Sequence, residues 1–294
     1  MRIRSSIDRV PPVALVMAAV VSVQFGGALA ATLVPSIGAV GTVALRMALS
    51  AGVIVLLVRP RWRGRSAADW RAVGFYSAAL GLMNLAFYAA LARLPIGVVV
   101  TIEFLGPLTL AAALSRRGRD LIAVGTAAVG VMLISEALWT PWADLDHVGI
   151  AFALAAGAMW AAYIVAGGHT AHRFAQLDGL AIALALNTIV LLPIGIATAG
   201  GRLIEPEILV KGFGVAMLST LLAYGLELLA LRRLAASVFG ILLSLEPAVA
   251  AVAGLIILSQ TLAPLQLVGM ALVVAASIIV MGSARRSRQP ATAD

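Results

Sequence analysis

Four ionisable residues lie inside long apolar stretches of this chain: Arg46, Glu103, Glu227 and Glu246. A charge at the centre of a bilayer costs about 2.5–3.5 kcal/mol on insertion scales, so such a residue faces a cavity or a partner. Two readings stand for Arg46, Glu103 and Glu246: a buried structural ion pair, or the polar lining of a pathway. Glu227 lies close enough to Arg232 and Arg233 in sequence to pair with Arg232 at the membrane boundary, and is read as structural.

Two of the glutamates carry a backbone consequence. Pro107 follows Glu103 by four residues, so no helical N–H answers the Glu103 carbonyl, and Gly106 loosens the same turn. Pro247 directly follows Glu246 and frees the carbonyl of Leu243. Freed carbonyls beside a carboxylate suit an ammonium group; a kink for packing is the plainer reading. Polar and aromatic residues gather in the same stretches: Gln24, Asn84, Tyr88, Trp160, Tyr163, Asn187 and Tyr224. Asn84 and Tyr88 are four apart, and Trp160 and Tyr163 three apart, so each pair shares a helix face. Such faces serve helix packing or a binding wall.

A catalytic constellation is not found. His147, His169 and His172 fall in expected loops, and zinc, phosphate-loop and serine-nucleophile patterns are missing. With no cysteine there is neither a disulfide nor a thiolate metal site. The chain is expected to be no enzyme and to carry no cofactor or metal.

The elements that hold these residues follow from composition. The 294 residues are 62% hydrophobic and 12% charged, against roughly half apolar and a quarter charged in soluble domains. A spanning helix needs about 20 apolar residues. The apolar runs fall at about 13–33, 38–58, 72–91, 97–114, 121–138, 148–166, 180–198, 212–231, 237–258 and 265–282. They exceed strand length and lack period-two alternation, so they are helices. The expected fold is all-α and integral to the membrane, with ten transmembrane helices. The 28 glycines and 12 prolines suit helices broken where they line a cavity.

Cations set the sidedness. Of the 21 Lys and Arg, 17 fall on the side of the N-terminus and 3 (Arg93, Arg202, Lys211) on the other, with Arg46 inside a span. That bias predicts both termini in the cytoplasm. The net charge of +8 sits in short clusters between apolar runs and reads as topology rather than nucleic-acid binding. Trp139 and Trp142 read as interfacial anchors. Arg2 and Arg4 followed by an apolar run and Ala28-Leu29-Ala30 mimic a cleaved leader, but the run from Val13 to Leu33 is long enough to span and is read as the first helix.

The chain also overlays itself at a shift of 140. Leu91, Arg93, Leu94, Val98, Leu105 and Pro107 meet Leu231, Arg233, Leu234, Val238, Leu245 and Pro247, and Gly125 meets Gly269 after a four-residue insertion. The repeat unit is five helices, and an odd number of crossings inverts the second copy. The expected organisation is a first repeat over 1–140, a second over 147–285, and a cytoplasmic tail over 286–294. Inverted repeats of this kind typify secondary transporters, whose site lies near the midplane between the halves.

Several stretches, in order and on matching helices, resemble a known family: Gln24-Phe25-Gly26-Gly27-Ala28, Thr42-Val43-Ala44-Leu45-Arg46, Gly81-Leu82-Met83-Asn84, Phe87-Tyr88 and Glu103-Phe104-Leu105-Gly106-Pro107 in the first half, then Trp160-Ala161-Ala162-Tyr163, Leu226-Glu227 and Leu245-Glu246-Pro247-Ala248 in the second. The chain resembles the drug/metabolite transporter superfamily, EamA type, and within it the bacterial inner-membrane threonine/homoserine exporters. The resemblance implies a ten-helix fold of two inverted five-helix repeats around a central cavity, and efflux of small amino acids or related metabolites; a drug or nucleoside-like cargo is the alternative. Where members often carry Gly-Glu, this chain has Ser259-Gln260. A zwitterionic cargo needs a carboxylate for its ammonium, and Arg or a helix N-terminus for its carboxylate. Arg46 with Glu103 or Glu246 supplies that pair, and Asn84, Tyr88, Trp160 and Tyr163 complete the expected substrate wall. Proton coupling is expected at Glu103 and Glu246, because a carboxyl in a low-dielectric cavity can exchange a proton in the physiological range.

Overall fold

The computed structural model describes residues 10–94, 96–115, 118–134, 146–258 and 263–286. The described residues form helices and turns without a strand: α1 (Pro12–Ala31), α2 (Val34–Val58), α3 (Ala67–Leu91), α4 (Ile96–Leu114), α5 (Gly118–Ile134), α6 (His147–Arg173), α7 (Asp178–Ala199), α8 (Pro206–Leu231), α9 (Ala236–Leu243), α10 (Glu246–Leu258) and α11 (Pro264–Arg286). Six of these segments are long and apolar enough to cross a membrane: α1, α2, α3, α6, α8, and α7 with the 3₁₀ turn that follows it. Leu56, Leu57, Ile189, Val190 and Val210 stand exposed on the outside of the bundle, as side chains facing lipid do. Trp139, Trp142 and the Ser259-Gln260 pair lie outside the described residues.

Local chemistry sets the helix ends. Ser66 and Asp69 form a capping box, so α3 starts at Ala67, five residues before the apolar run. The Asp146 side chain accepts from Val148 and Gly149 and starts α6. That helix runs on to Arg173, which moves His147, His169 and His172 from the expected loops into the helix, His147 in its first turn and His172 beside Arg173 in its last; the Arg173 cation there complements the helix dipole.

Three helical stretches depart from regularity. In α2, Gly38 takes φ 70°, and the Thr42 hydroxyl takes its carbonyl at 2.8 Å. In α8, Ala216–Leu222 winds as a π-helix, a local form frequent at functional sites. The run expected as one helix over 237–258 is instead broken. α9 ends at Leu243, Ser244 and Leu245 turn, and α10 starts at Glu246. Pro247 cannot answer the Leu243 carbonyl, and the Ser244 hydroxyl turns back on the Ile241 carbonyl at 2.6 Å.

The main packing partners are α3 with α6, α2 with α7, α5 with α11, α1 with α8 and α10, and α4 with α6 and α9. Backbones touch where side chains vanish. A Cβ on Gly106 of α4 would collide with the Gly157 carbonyl of α6, and one on Gly157 would lie 2.7 Å from the Glu103 carbonyl. The segments that overlay at a shift of 140 turn alike: the N–H groups of Arg93 and Leu94 both bond the Ala90 carbonyl at 2.9 Å, and those of Arg233 and Leu234 bond the Ala230 carbonyl at 2.9 Å.

Candidate functional site

Arg46 sits mid-way along α2, 7% exposed. Its Nη1 donates to the Ser219 hydroxyl at 3.3 Å, and its Nη2 to the Asn84 side-chain oxygen. Its Nε has no partner among the described residues. The π-helical turn is what presents Ser219. Two of its carbonyls are taken by neighbours: Leu218 by the Ser22 hydroxyl at 2.7 Å and Ala216 by the Ser50 hydroxyl at 3.0 Å. Gly26 lets α1 reach this turn, since a Cβ there would lie 2.6 Å from the Ser219 nitrogen. The periodicity of α8 gives no sign of Ser219, because a π turn has the composition of an α turn.

Among the described residues the ion pairs are Arg65–Asp178, Arg93–Asp146, Arg173–Asp69 and Lys211–Glu207, all at helix ends. Arg46 joins none of them, so the structural ion pair with Glu103 or Glu246 does not hold. A buried guanidinium held by neutral oxygens lacks the counter-charge that normally offsets several kcal/mol of desolvation.

The carboxylates gather separately. Glu246, at the start of α10, accepts from Gln24 of α1 at 3.1 Å and lies within electrostatic reach of Glu103 and Glu227. Glu103 is buried on α4, beside Phe104, whose ring meets Trp160 edge-on at 4.8 Å. Glu227 does not use Arg232 as expected from the sequence. It accepts the Tyr163 hydroxyl at 2.7 Å, while Arg232 donates to the carbonyls of Phe174 and Gln176. Among the described residues no three His, Cys, Asp or Glu side chains gather closely enough to hold a metal ion.

An aromatic link joins the two groups. The Asn84 amide donates to the Tyr224 hydroxyl at 3.4 Å, the Tyr224 and Tyr163 rings lie 5.7 Å apart, and Tyr76 stacks on Tyr163 at 5.3 Å. The structure thus brings Arg46, Asn84 and Tyr163 into one continuous set through Tyr224, and Glu103 and Glu246 within electrostatic reach of each other, with Trp160 against Phe104. Tyr88 is set apart. It lines a cavity of about 940 Å³ between the ends of α2, α3, α6 and α7, whose wall also includes Val43, Leu85, Met159 and Arg202. Val43 and Leu85 adjoin Arg46 and Asn84 along their helices, so the cavity ends about one turn from the guanidinium. Asn187 instead holds α7 to the Ser77 carbonyl of α3 at 3.0 Å.

Ion pairs and hydrogen bonds cross the arginine-rich end of the bundle. Arg65 bonds Asp178 at 2.7 Å with its guanidinium 4.6 Å over the Phe174 ring, Arg173 bonds Asp69 at 3.2 Å, and Arg233 donates to the Val10 carbonyl at 2.9 Å. The cavity opens at the opposite end.

Known proteins carry the same sequence pattern and fold. Residues 147–282 match the EamA-like transporter family. The chain is 39% identical over 268 residues to the threonine/homoserine exporter RhtA of Escherichia coli (strain K12), covering 91% of this chain and 90% of that one. It is 39% identical over 279 residues to RhtA of Salmonella typhimurium (strain LT2), covering 95% and 94%. A crystal structure of a protein 15% identical in sequence superposes with a TM-score of 0.78 over 95% of this chain and 99% of the other, a likeness of fold. The chain belongs to the EamA-like transporter family.

Proposed function

We propose that this protein is a bacterial inner-membrane secondary transporter that exports small zwitterionic amino acids such as threonine and homoserine in exchange for protons. The observation that carries the reading is the separation of charge inside the bundle. Arg46 is buried with only neutral partners, and Glu103 and Glu246 are buried with no cation partner among the described residues. An α-amino acid brings the missing carboxylate and ammonium together, and each buried pole has more to gain from it than water can supply. The relatives named as threonine/homoserine exporters support the cargo.

The proposed architecture is ten crossings with both termini in the cytoplasm, as two inverted repeats over 1–140 and 147–285 and a tail over 286–294. In this reading α9 and α10 make one interrupted crossing and α11 is the tenth. The packing supports it: exchanging the halves turns the α3–α6 contact into α8–α1, and α4–α6 into α9–α1 with α10–α1, while α2–α7 and α5–α11 map onto themselves. A break beside Glu246 suits a discontinuous helix at the site of a transporter.

Overproduction tests the function. Cells should tolerate more external threonine or homoserine and accumulate more of either in the medium. The apolar wall of the 940 Å³ cavity favours one other cargo, a larger amphiphile. Tolerance that rises only for bulky cationic drugs, across a panel of amino acids and drugs, would replace the amino acid with that cargo.

A further inference from the structure

Glu227 takes no part in pairing the substrate at Arg46, Glu103 and Glu246, yet it is 3% exposed inside a membrane-spanning helix. One hydroxyl holds it, that of Tyr163 at 2.7 Å. We infer that Glu227, positioned by Tyr163, is a proton site distinct from the ammonium site at Glu103 and Glu246, and that proton and ammonium exclude one another through Glu246. The inference rests on the proposed exporter function.

The order of the carboxylates along the bundle comes first. Glu227 lies four residues before the arginine-rich end of α8, or about 6 Å. Glu246 lies ten residues past the start of α9 at the same end, or about 15 Å. Glu103 is eleven residues from the end of α4 there, or about 16 Å. Of the three buried glutamates Glu227 is therefore the nearest to the arginine-rich end, and Glu246 is the one within electrostatic reach of both Glu227 and Glu103.

The surroundings of Glu227 suit a proton and not an organic cation. Tyr163 of α6, Tyr76 of α3 and Tyr224 of α8 are the titratable groups around it, with Glu246 of α10 beyond. Arg46 of α2 reaches Tyr224, and Gln24 of α1 is taken by Glu246. The Tyr163 hydroxyl covers one carboxylate oxygen and its ring packs against those of Tyr76 and Tyr224, a setting that suits a hydrogen better than a substituted ammonium. Buried like charges within reach of one another cannot all be ionised together. When an ammonium settles between Glu103 and Glu246, the repulsion on Glu227 falls, and its O–H proton passes to water at the arginine-rich end. When a proton returns to Glu227, the cluster holds the ammonium less firmly. One positive charge replaces the other, which is the rule an exchanger needs.

The test uses the full chain in liposomes with radiolabelled threonine and two readouts: threonine–threonine exchange without a gradient, and accumulation driven by a pH gradient. Glu227→Gln should lose the driven accumulation and exchange at a rate that no longer varies with pH, whereas Glu246→Gln should lose both. Tyr163→Phe keeps the carboxyl and should shift the pH of half-maximal drive. It decides the matter if Glu227→Gln does not fold. Glu227→Gln with wild-type drive and pH profile, or Tyr163→Phe without a shift, overturns the assignment. A folded Glu227→Gln protein that cannot exchange also overturns it, by moving Glu227 into the ammonium site. Wild-type protein that exchanges threonine but ignores the gradient sinks proton coupling itself, and Glu227 with it.

Discussion

Replacing Arg46 by Met separates a receptor for an anion from a structural strut. The guanidinium is 7% exposed and makes two hydrogen bonds to neutral oxygens. Its removal strands little. Ser219 keeps its bond to the Val215 carbonyl at 2.8 Å, and the Asn84 amide keeps the Leu80 carbonyl at 2.8 Å. Only the Asn84 side-chain oxygen is left unsatisfied, at about 1–3 kcal/mol. Against this stands the relief of an uncompensated buried charge, which costs several kcal/mol. Met is flexible and fills the vacated space. The variant should therefore melt at or above the wild-type temperature in detergent. Binding should suffer, because each charge-assisted bond to a substrate carboxylate is worth about 1.5–3 kcal/mol, roughly 10- to 100-fold in affinity. The assay is the melting temperature with and without saturating threonine, beside exchange in liposomes. Threonine should raise the melting temperature of the wild type and not of Arg46→Met. A variant that melts well below the wild type and still exchanges threonine would refute the reasoning.

Gly106→Ala should lower the melting temperature by the cost of overpacking, about 1–3 kcal/mol, because its methyl meets the Gly157 carbonyl; transport should fall with it, since Glu103 sits one turn away. The chain has no cysteine, so single cysteines report topology without background. Glu205→Cys should react with an impermeant maleimide on whole cells, and Arg63→Cys only after permeabilisation; the reverse would invert the proposed topology. Asp178→Asn removes a partly buried ion pair to Arg65 that is worth about 1 kcal/mol or less in stability. It should nonetheless speed labelling of a cysteine at Tyr76 from the arginine-rich side, and unchanged labelling would show that this pair does not keep that end closed.

The fold class was legible because apolar runs of spanning length admit few alternatives, and the charged residues inside them mark themselves. Arg46, Glu103 and Glu246 stood out by that contrast alone. Their partners did not. Glu227 looks closest to Arg232 along one helix, but the hydroxyl that binds it comes from Tyr163, 64 residues away. Sequence spacing reports neighbours on one helix, and this site is made between helices. Ser219 was invisible for a related reason: the π turn that aims it at Arg46 also takes hydroxyls from Ser22 of α1 and Ser50 of α2, which no spacing within α8 reveals. Pro247 signalled irregular backbone correctly, yet a proline alone does not distinguish a kink from the full break at Ser244 and Leu245. Tyr88 shares a face with Asn84, but that face continues out of the charged cluster into the cavity.

The pairing of helices has a consequence for how the chain is made. α2 finds its main partner in α7, α3 in α6, α5 in α11, and α1 in α8. Every one of these partners is synthesised later. The first five helices thus leave the ribosome with their glycine-lined faces uncovered, and Arg46 and Glu103 enter the bilayer before Ser219, Tyr224 or Glu246 exists. During that interval the nascent half must be sheltered by the insertion machinery or by lipid headgroups drawn to the charges. A ribosome stalled between α5 and α6 should expose an intermediate that proteases and quality-control factors recognise, and the matched stretch 147–282 made alone should not mature into a stable protein.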